Sequence, residues 1–331
     1  MIFLCAVVAL AAAAFLFHWR MQKKQEIYQL KVDENALAGA DDQEVSYRKI
    51  EVDGEFYRYN TNIMNILYMG VDTQSEDAEV DTQNNAGQAD TILLLSIDRK
   101  TKECHVIAIP RDTMTKIRMY DNAGNYLGKA TQHLSLAYAY GDGENKSCQL
   151  VAEAVSQLLC DIPVNRYVSS DISSIPDFND LVGGVTVTVP NDDLAKYGFE
   201  YKKGRSLKLD SENVELFLRQ RDISKDFTNN GRMERQKVYI EAYLKKLAEC
   251  AREDLEGLID KIDRLDEESV NNLRSTELEQ ILSMLDEGGL GEDHFHILEG
   301  EDENGELHDE FYADEEKICD LILDIYYVKV S

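Results

Sequence analysis

The sequence predicts an α/β fold in which a mixed central β-sheet is sandwiched by helices. Two nearly all-apolar runs, residues 91–98 and 104–110, flank a short turn, which fits the interior of a sheet covered on both faces. Further along the chain, strand-like segments alternate with amphipathic helical segments, a pattern typical of α/β sandwiches. An apolar segment precedes this domain, and we expect it to form one N-terminal transmembrane helix.

The apolar segment covers residues 2–17 without interruption, a length at the lower edge for a membrane span. We expect three regions along the chain: a transmembrane signal anchor at 1–21, a stalk at 22–45 and an extracellular domain at 46–331. Three basic residues, Arg20, Lys23 and Lys24, follow the apolar run. The positive-inside rule would keep that flank in the cytoplasm, which conflicts with an exported domain.

The elements after the stalk are predicted from periodicity and turn signals. Residues 46–60 alternate around Asp53–Gly54, a strong signal for a β-hairpin. Strands are expected at 63–72, 91–98, 104–110, 166–171, 185–190 and, at a sheet edge, 295–300. Helices are expected at 134–141, 147–159, 173–181, 211–218, 232–251, twice within 254–288, and at 315–327. After Asp112 the chain is expected to loop through a turn at Gly124.

Charge is distributed unevenly along the 331 residues, whose formal net charge is -28. Residues 252–331 hold 26 acidic and 6 basic side chains, so this C-terminal part contributes -20 of the total. A surface this acidic argues against general nucleic-acid binding, because phosphate backbones attract cations. The chain upstream is nearly balanced, so a cluster of cations there requires an explanation.

Such a cluster lies in the stretch that runs from residue 219 to residue 236. Its four arginines are Arg219, Arg221, Arg232 and Arg235. Arg232 and Gln236 fall at the start of a long predicted helix, where N–H groups and the helix dipole favour anions. The planar guanidinium group also matches phosphate oxygens. The stretch therefore predicts a phosphate-binding segment, and surface salt bridges to nearby carboxylates are the alternative.

Two aspartates are predicted at the ends of neighbouring strands. Asp72 ends the 63–72 strand and Asp90 starts the next one. Two convergent carboxylates together with substrate phosphates are the usual ligands of Mg²⁺. Arg111 directly follows a predicted buried strand and is expected at the same edge of the sheet. The alternatives are strand-end capping for the aspartates and a structural ion pair with Asp112 for Arg111.

The remaining candidate groups have mainly structural interpretations. His133 precedes a predicted helix and is expected to be a hydrogen-bonded structural histidine. The cysteines form no C-x-x-C pair, so metal or thioredoxin-like chemistry has no support. Cys148 and Cys160 are about 18 Å apart on one predicted helix and cannot bridge each other. A Cys250–Cys319 disulfide is compatible with an exported domain, and buried thiols are the alternative.

Seven short motifs occur in a fixed order between residues 62 and 247. They read NILYMGVD, QADTILLLSID, VIAIPRDT, HLSLAYAYG, DFNDLVGGVTVTV, FLRQRD and GRMERQ. In order and spacing they resemble the LytR-CpsA-Psr family of cell-envelope glycopolymer transferases, which also carries a membrane anchor before this region. The resemblance implies the α/β/α fold of that family. The acidic part at 252–331 contains no recognised module and is expected to continue the same domain.

The resemblance also implies an activity. The family is similar to phosphotransferases that move a glycopolymer from an undecaprenyl-pyrophosphate carrier to peptidoglycan, outside the membrane in a Gram-positive-type envelope. The polymer is a teichoic acid or a capsular or secondary wall polysaccharide. The implied partners are therefore the undecaprenyl-pyrophosphate-linked glycopolymer, peptidoglycan and the membrane.

Functional residues of the family fall on matching positions of this chain. Asp72 and Asp90 fall on the family's Mg²⁺-binding aspartates. The implied pyrophosphate-binding residues are Arg111, Arg219, Arg221, Arg232 and Gln236, of which the three first-named arginines are also the implied catalytic residues. The family is further thought to house the polyprenyl tail in an apolar tunnel. Candidate lining residues are Leu134, Leu136, Leu150, Val151, Val155, Leu158 and Leu159, with ordinary core packing as the alternative.

Three positions depart from the family pattern. Gln88, His133 and Asn229 stand where the family carries an arginine, a lysine and an aspartate. Each charge-assisted hydrogen bond lost at such a site removes roughly 1.5–3 kcal/mol, which would weaken phosphate binding. The alternatives to transfer are therefore a regulatory relative that binds polyprenyl-phosphate lipids, and a lipid pyrophosphatase that needs only the metal site and a water.

Overall fold

The computed structural model describes residues 49–73, 87–121, 123–220, 229–266, 269–287, 290–305 and 308–330. The expected signal anchor, the stalk and Arg221 lie outside these ranges. Within them, no helix combines the length and the apolar character needed to cross a lipid bilayer.

The strands of the described residues are numbered here in chain order. They are β1 Lys49–Val52, β2 Glu55–Tyr59, β3 Ile63–Asp72, β4 Gln88–Asp98, β5 Cys104–Ile109, β6 Met114–Tyr120, β7 Tyr126–His133, β8 Arg166–Asp171, β9 Val185–Thr188, β10 Ser206–Leu209, β11 Ser269–Asn271, β12 Leu290–Ile297, β13 Gly300–Asn304, β14 Asp309–Ala313 and β15 Tyr327–Lys329.

The helices are numbered in the same way. The α-helices are α1 Leu136–Ala139, α2 Asn145–Leu158, α3 Ile175–Leu181, α4 Val214–Arg219, α5 Asn229–Glu253, α6 Leu255–Asp266, α7 Ser275–Glu287 and α8 Glu315–Tyr326. Short 3₁₀ turns occur at Ile172–Ser174, Ala195–Tyr197 and Phe199–Tyr201.

A six-stranded mixed sheet forms the centre of the larger compact unit, which comprises residues 62–320. Its strand order is β11-β8-β3-β4-β5-β12. The β4 strand runs antiparallel to both of its neighbours, β3 and β5, whereas β8 runs parallel to β3 and β12 runs parallel to β5. The predicted edge strand near 295–300 is thus confirmed as β12.

Both faces of this sheet are covered by helices. On one face, Ile66, Leu93 and Val106 of the strands pack with buried side chains of the long helices, among them Leu247 and Leu282. On the other face, α1 packs against β4 and α2 packs against β8. The predicted α/β fold with a mixed central sheet between helices is therefore confirmed.

Among the described residues, the second compact unit joins 49–61 with 321–330. Its three-stranded sheet has the order β1-β2-β15. The predicted hairpin at Asp53–Gly54 is confirmed, because both residues have positive φ, 51° and 82°, as a tight hairpin turn requires. The ring of Tyr59 lies 6.3 Å from that of Tyr326 and adds a stacked contact.

Three hairpin-like pairs differ from the sequence prediction. The expected loop after Asp112 is the antiparallel pair β6–β7, and β9 pairs with β10 outside the central sheet. The acidic segment from Gly300 to Ala313 forms the pair β13–β14. The β13 strand is short and rich in acidic side chains, so it shows little apolar alternation. The β9 strand does alternate and was predicted; only its pairing with β10 was not.

Candidate active site

The central strands end at a common edge where the two predicted aspartates meet. Asp72 is the last residue of β3 and pairs with Gln88 at the start of β4. The register shifts at this point, because Gly70 pairs with Thr91 while Val71 pairs with Ala89. Asp90 is therefore the extra residue of a β-bulge, and a bulge changes the direction in which side chains point. It places Asp90 on the wall of a cleft together with Gln88 and Thr91.

Gly87 fixes the start of β4 against the end of β3. Its φ is +78°, and a Cβ at this position would lie 2.5 Å from the carbonyl oxygen of Asp72. A side chain here would therefore push the two strand ends apart. Glycine is required for Gln88 to sit opposite Asp72.

Arg111 lies where the sequence predicts, directly after β5 and at the same edge. Its Nη1 donates to Oδ1 of Asp90, and its Nη2 donates to Oε1 of Gln88 at 3.2 Å. Its Nε also donates to Oδ1 of Asp112 at 3.1 Å. The predicted convergence with Asp90 and the alternative pair with Asp112 are thus both present, and three acceptors orient one half-buried guanidinium group.

Arg219 completes a second ion pair at the same edge. It is the last residue of α4, and its Nη2 donates to Oδ2 of Asp72 at 3.0 Å. Its Nη1 donates to Oε1 of Glu215, one helical turn earlier, at 2.5 Å. Both predicted metal-binding aspartates therefore bond to predicted phosphate-binding arginines.

The first turns of α5 supply the opposite wall of the cleft. Arg232 is largely buried and lines the cleft, as does Gln236 one turn later. The Nε2 of Gln236 donates to the carbonyl oxygen of Leu218 at 3.5 Å, which ties α5 to α4. The predicted helix is confirmed and begins at Asn229, three residues earlier than expected.

Arg235, the fourth arginine of the cluster, has a structural role. It is fully buried, and its Nε donates to the carbonyl oxygen of Phe217 at 2.8 Å. Its other nitrogens donate to the carbonyl oxygen of Gln220 and, at 3.0 Å, to Oδ2 of Asp193. Burial lowers the pKa of this guanidinium, and the Asp193 carboxylate opposes that shift. Arg235 thus joins the end of α4 to α5 and holds Arg219 and Arg232 at one cleft.

The cleft that these elements enclose has a volume of about 730 Å³. The predicted site residues that line it are Asp90, Arg111, Arg219, Arg232 and Gln236. Asp72 joins the site through its bond to Arg219, whereas Arg221 lies outside the described residues. Glu212, Glu215 and Gln220 also line the cleft. These three residues were not predicted from the sequence, because their position on the cleft depends on how α4 packs on the sheet.

An apolar cavity of about 330 Å³ lies next to this cleft. Tyr68, Leu93, Tyr239 and Ile240 line both spaces, and these four shared residues are called the neck here. Beyond the neck, the apolar lining residues include Ile66, Leu95, Val168, Leu181, Leu244, Leu247 and Leu278. A cleft with arginines and carboxylates therefore adjoins an apolar space, with four lining residues in common.

The seven candidate tunnel-lining residues lie in or beside α1 and α2, and none of them lines this cavity. Six of the seven are buried, which agrees with the alternative of ordinary core packing. The apolar space lies instead among β3, β4, α5 and α7. Neighbouring residues of an all-apolar strand point to opposite faces, so Leu93 lines the cavity while Leu94 does not.

The tyrosines near the neck are neutral groups. The hydroxyl of Tyr68 lies 2.9 Å from Oγ of Ser170, and that of Tyr239 donates to Oδ1 of Asn179 at 3.4 Å. Burial raises the pKa of Tyr68, of Tyr239 and of the adjacent Tyr243. Because the hydroxyls of Tyr68 and Tyr239 are uncharged and already bond to protein groups, their rings provide an apolar surface for a ligand at the neck.

His133 is nine-tenths buried at the end of β7, in keeping with a structural histidine. Its ring centroid lies 6.4 Å from that of His308, in an edge-to-face arrangement. His308 lies on the β13–β14 hairpin and lines the cleft. His308 was not predicted from the sequence, since it lies within an acidic segment without any recognised motif.

The chemistry of the donor set at this edge agrees with the predicted magnesium site. Asp72 and Asp90 offer carboxylate oxygens at one edge, and oxygen is the ligand that Mg²⁺ prefers. Among the described residues, no group of three or more His, Cys, Asp or Glu side chains is placed to hold a metal. Mg²⁺ suits such a site, because it retains waters and commonly uses one or two carboxylates together with substrate phosphates.

Comparison with known proteins supplies a family. The model of the LytR_cpsA_psr family matches residues 24–315. A Bacillus subtilis protein named polyisoprenyl-teichoic acid–peptidoglycan teichoic acid transferase TagV is 28% identical over 218 residues, which are 63% of this chain and 49% of that protein. The chain thus spans about half the length of the curated relatives it matches.

Solved structures of similar proteins share the fold. The crystal structure of B. subtilis TagV superposes with a TM-score of 0.60 at 21% identity, covering 80% of this chain and 96% of that one. A structure of TagT bound to LIIa-WTA superposes with a TM-score of 0.58 at 21% identity, covering 86% and 95%. At these identities the likeness concerns the fold alone.

Proposed function

The chain belongs to the LytR_cpsA_psr family, and from this membership and the geometry of the cleft we propose that it transfers a glycopolymer from an undecaprenyl-pyrophosphate carrier to peptidoglycan. The glycopolymer is a teichoic acid or a capsular or secondary wall polysaccharide. A relative that matches over part of its length is named as a transferase of teichoic acid to peptidoglycan, which supports this class of reaction.

One observation carries the proposal: the arginine-lined cleft and the apolar cavity meet at the neck of Tyr68, Leu93, Tyr239 and Ile240. A ligand that fills both spaces has an anionic head joined to an apolar chain. Polyprenyl diphosphates have this character. Because the cavity of about 330 Å³ is far smaller than a long polyprenyl chain, it would take only the part of the tail next to the diphosphate.

The reaction exchanges one phosphorus–oxygen bond for another. An acceptor hydroxyl of peptidoglycan attacks the phosphorus that carries the glycopolymer, and the bond to the bridging oxygen of the diphosphate breaks. Polyprenyl phosphate leaves, and a carboxylate of the cleft takes the hydroxyl proton. Negative charge grows on the phosphate oxygens as this occurs, so groups that neutralise it accelerate the transfer.

The arginines are the groups that would neutralise this charge. Arg111, Arg219 and Arg221 act in catalysis, and they bind the diphosphate together with Arg232 and Gln236. Arg111 and Arg219 are held in place by carboxylates, which orients their guanidinium groups before substrate arrives. The start of α5 adds the positive end of a helix dipole beside Arg232.

Asp72 and Asp90 are the residues that would hold Mg²⁺. When bound, the ion would supply positive charge to the phosphate oxygens. Both carboxylates bond to arginines of the site, so a carboxylate that held the ion would no longer bond to its arginine. The diphosphate would then accept the hydrogen bonds of Arg111 and Arg219.

We further propose that the protein acts at the outer face of a Gram-positive-type cell membrane, held by a single N-terminal span. The apolar run at residues 2–17 supports this location. The carrier lipid resides in a membrane, so a membrane-held enzyme meets its substrate there.

A second candidate function is binding of the lipid with weak or no transfer, as in a regulatory relative. Gln88 favours it, because its side-chain oxygen accepts from Arg111 at 3.2 Å at a position where the family has an arginine. His133 and Asn229 also replace charged family residues.

A lipid pyrophosphatase would need the same cleft and a water in place of the acceptor hydroxyl.

A three-component assay separates these functions. The full chain in detergent receives lipid-linked polysaccharide, peptidoglycan oligomers and Mg²⁺, and an Arg111→Ala variant serves as the control. We expect polysaccharide coupled to peptidoglycan with the wild type and none with the variant. Lipid binding without any coupled product would support the regulatory function instead. Release of phosphorylated products without acceptor would support the pyrophosphatase.

A further inference from the structure

The acidic hairpin β13–β14 is attached to the segment that carries Arg111. The backbone N–H of Phe311 donates to the carbonyl oxygen of Asp112 at 2.9 Å, and Phe311 forms a parallel bridge with Thr113. The Phe311 side chain is buried. His308, between the two strands of this hairpin, lines the cleft, so the acidic segment contributes one side chain to the cleft wall.

The same segment is held from its other side by the residues after His133. The N–H of Leu134 donates to the carbonyl oxygen of Thr113 at 2.9 Å, and that of Ser135 donates to the carbonyl oxygen of Arg111 at 3.1 Å. The chain from Arg111 to Thr113 therefore lies between two supports. Each support contributes one histidine, and the two rings are 6.4 Å apart.

His308 faces the polar end of the cleft. It lines the cleft along with Gln88, Asp90 and Arg111. Within the part of the chain that the structure describes, none of these four residues lines the apolar cavity. This is the end where the diphosphate would bind, and it is also where Gln88 and His133 stand in place of family cations. An imidazole offers an N–H donor at that position.

We propose that His308 is a substrate-positioning residue whose imidazole donates a hydrogen bond to the diphosphate beside Arg111. This inference rests on the proposed function and adds a binding residue from the C-terminal acidic part of the chain. A purely structural role would instead require His308 for the stability of the hairpin. The buried Phe311 and its backbone bonds already support the hairpin, whereas His308 is exposed.

The test uses inorganic pyrophosphate as the probe and calorimetric titration of the full chain in detergent. His308→Ala should weaken pyrophosphate binding about tenfold, as expected for one hydrogen bond to a charged group. His308→Lys should restore affinity to within about threefold of the wild type, because lysine also donates to phosphate. Tyr312→Ala is the matched control, since Tyr312 is exposed on the same hairpin but is not among the described cleft-lining residues.

The outcomes are distinct. Pyrophosphate affinity of His308→Ala equal to that of the wild type would overturn the inference and leave the proposed function standing. A loss that His308→Lys fails to restore, or that Tyr312→Ala shares, would make the effect structural and also overturn it. Absence of pyrophosphate binding by the wild type would overturn both the inference and the diphosphate site on which it rests.

A second inference concerns Cys160 and Cys319, and it stands on a separate observation. Their sulfur atoms lie 3.9 Å apart, although 159 positions separate them in the chain. Cys160 follows α2 with a φ of 59°, and Cys319 lies in the first half of α8. The described cysteines are free thiols, which was the alternative to a Cys250–Cys319 disulfide, and the sulfur that neighbours Cys319 belongs to Cys160.

We infer that Cys160 and Cys319 form a disulfide when an exchangeable disulfide is supplied. The thiolate of one cysteine attacks oxidised glutathione and displaces one glutathione thiol; the thiolate of the other then attacks the mixed disulfide and displaces the second. Two electrons pass from the cysteine pair to the oxidant, which leaves as two thiols. Cys104 and Cys148 stay reduced, because burial raises the pKa of each thiol to about 12.

Peptide mapping tests this cross-link. The full chain is treated with oxidised glutathione, alkylated without reduction and digested with trypsin. We expect peptide 147–166 linked to peptide 318–329, with the link kept in Cys148→Ala and lost in Cys160→Ser. A link from 318–329 to the peptide with Cys250 would contradict the inference, as would complete alkylation of both peptides.

Discussion

The Nη2 atom of Arg219, at the end of α4, lies 3.0 Å from Oδ2 of Asp72, at the end of β3. Arg111 and Asp90 form the equivalent pair one strand away. The site thus holds its proposed phosphate-binding cations and its proposed metal-binding anions against each other. Occupation by a diphosphate and a cation would exchange the partners without leaving a half-buried charge unpaired.

This pairing predicts that Mg²⁺ and pyrophosphate bind cooperatively. Each ligand takes over the partner that the other releases, so each should tighten the other by the same factor, on the order of fivefold or more. Titration of pyrophosphate at several Mg²⁺ concentrations, corrected for their complex in solution, measures the coupling. Independent binding of the two would contradict the exchange.

Asp72→Asn provides the matched variant for that coupling. The amide no longer binds the ion or pairs with the Arg219 charge, so Mg²⁺ should cease to tighten pyrophosphate binding. Pyrophosphate affinity without Mg²⁺ should rise at the same time, because Arg219 has one anionic competitor fewer. A variant that weakens binding equally with and without Mg²⁺ would argue against this role of Asp72.

Arg235→Ala is predicted to act on stability. It removes the bonds to the carbonyl oxygens of Phe217 and Gln220 and leaves these acceptors in a buried region, so the free energy of unfolding should fall by about 3 kcal/mol. Chemical denaturation measures this loss. A change below about 1 kcal/mol, the usual range of a surface site, would show that Arg235 does not hold α4 to α5.

Arg221→Ala is predicted to act on catalysis. Arg221 lies outside the described residues, and its role is inferred from the family motif. We expect transfer to be abolished while the free energy of unfolding stays within about 1 kcal/mol of the wild type. A large loss of stability would make this arginine structural, by contrast with the pattern expected for Arg235.

Ile240→Trp should weaken binding of the lipid tail without changing binding of the head group. A larger side chain at the neck blocks passage into the apolar cavity, so affinity for a polyprenyl diphosphate should fall more than about tenfold, the loss of a few buried methylene groups. Affinity for inorganic pyrophosphate should not change. Lys245→Trp, on the exposed face of α5, is the control. Equal effects of both variants on lipid binding would contradict binding of the lipid tail in the apolar cavity.

The sequence predicted the polar end of the site better than the apolar end. Asp72, Asp90 and Arg111 flank well-defined apolar strands, and antiparallel pairing of those strands brings their ends together. The cavity lining was harder to predict, because Leu93 and Leu94 point to opposite faces of an all-apolar strand. The sequence does not reveal which of the two faces meets the cavity. Covering helices decide that, and their packing is a property of the folded chain.

The arginine cluster illustrates the same limit on a helix. Arg232 and Arg235 are one turn apart and equally suited to phosphate, yet the first lines the cleft and the second is buried against carbonyl oxygens. The way in which α5 packs against α4 decides which of the two arginines faces the cleft and which faces the carbonyl oxygens. His308 lay beyond reach for another reason, since only the docking of Phe311 on Asp112 brings its hairpin to the cleft.

The most direct test of the account is the product formed from lipid-linked polysaccharide and peptidoglycan in the presence of Mg²⁺. Mass spectrometry of muramidase fragments identifies how the polymer is attached. We predict a fragment that carries the polysaccharide through a single phosphate, formed by the wild type and absent with Arg111→Ala. Unmodified peptidoglycan beside intact, protein-bound lipid would contradict the proposed transfer.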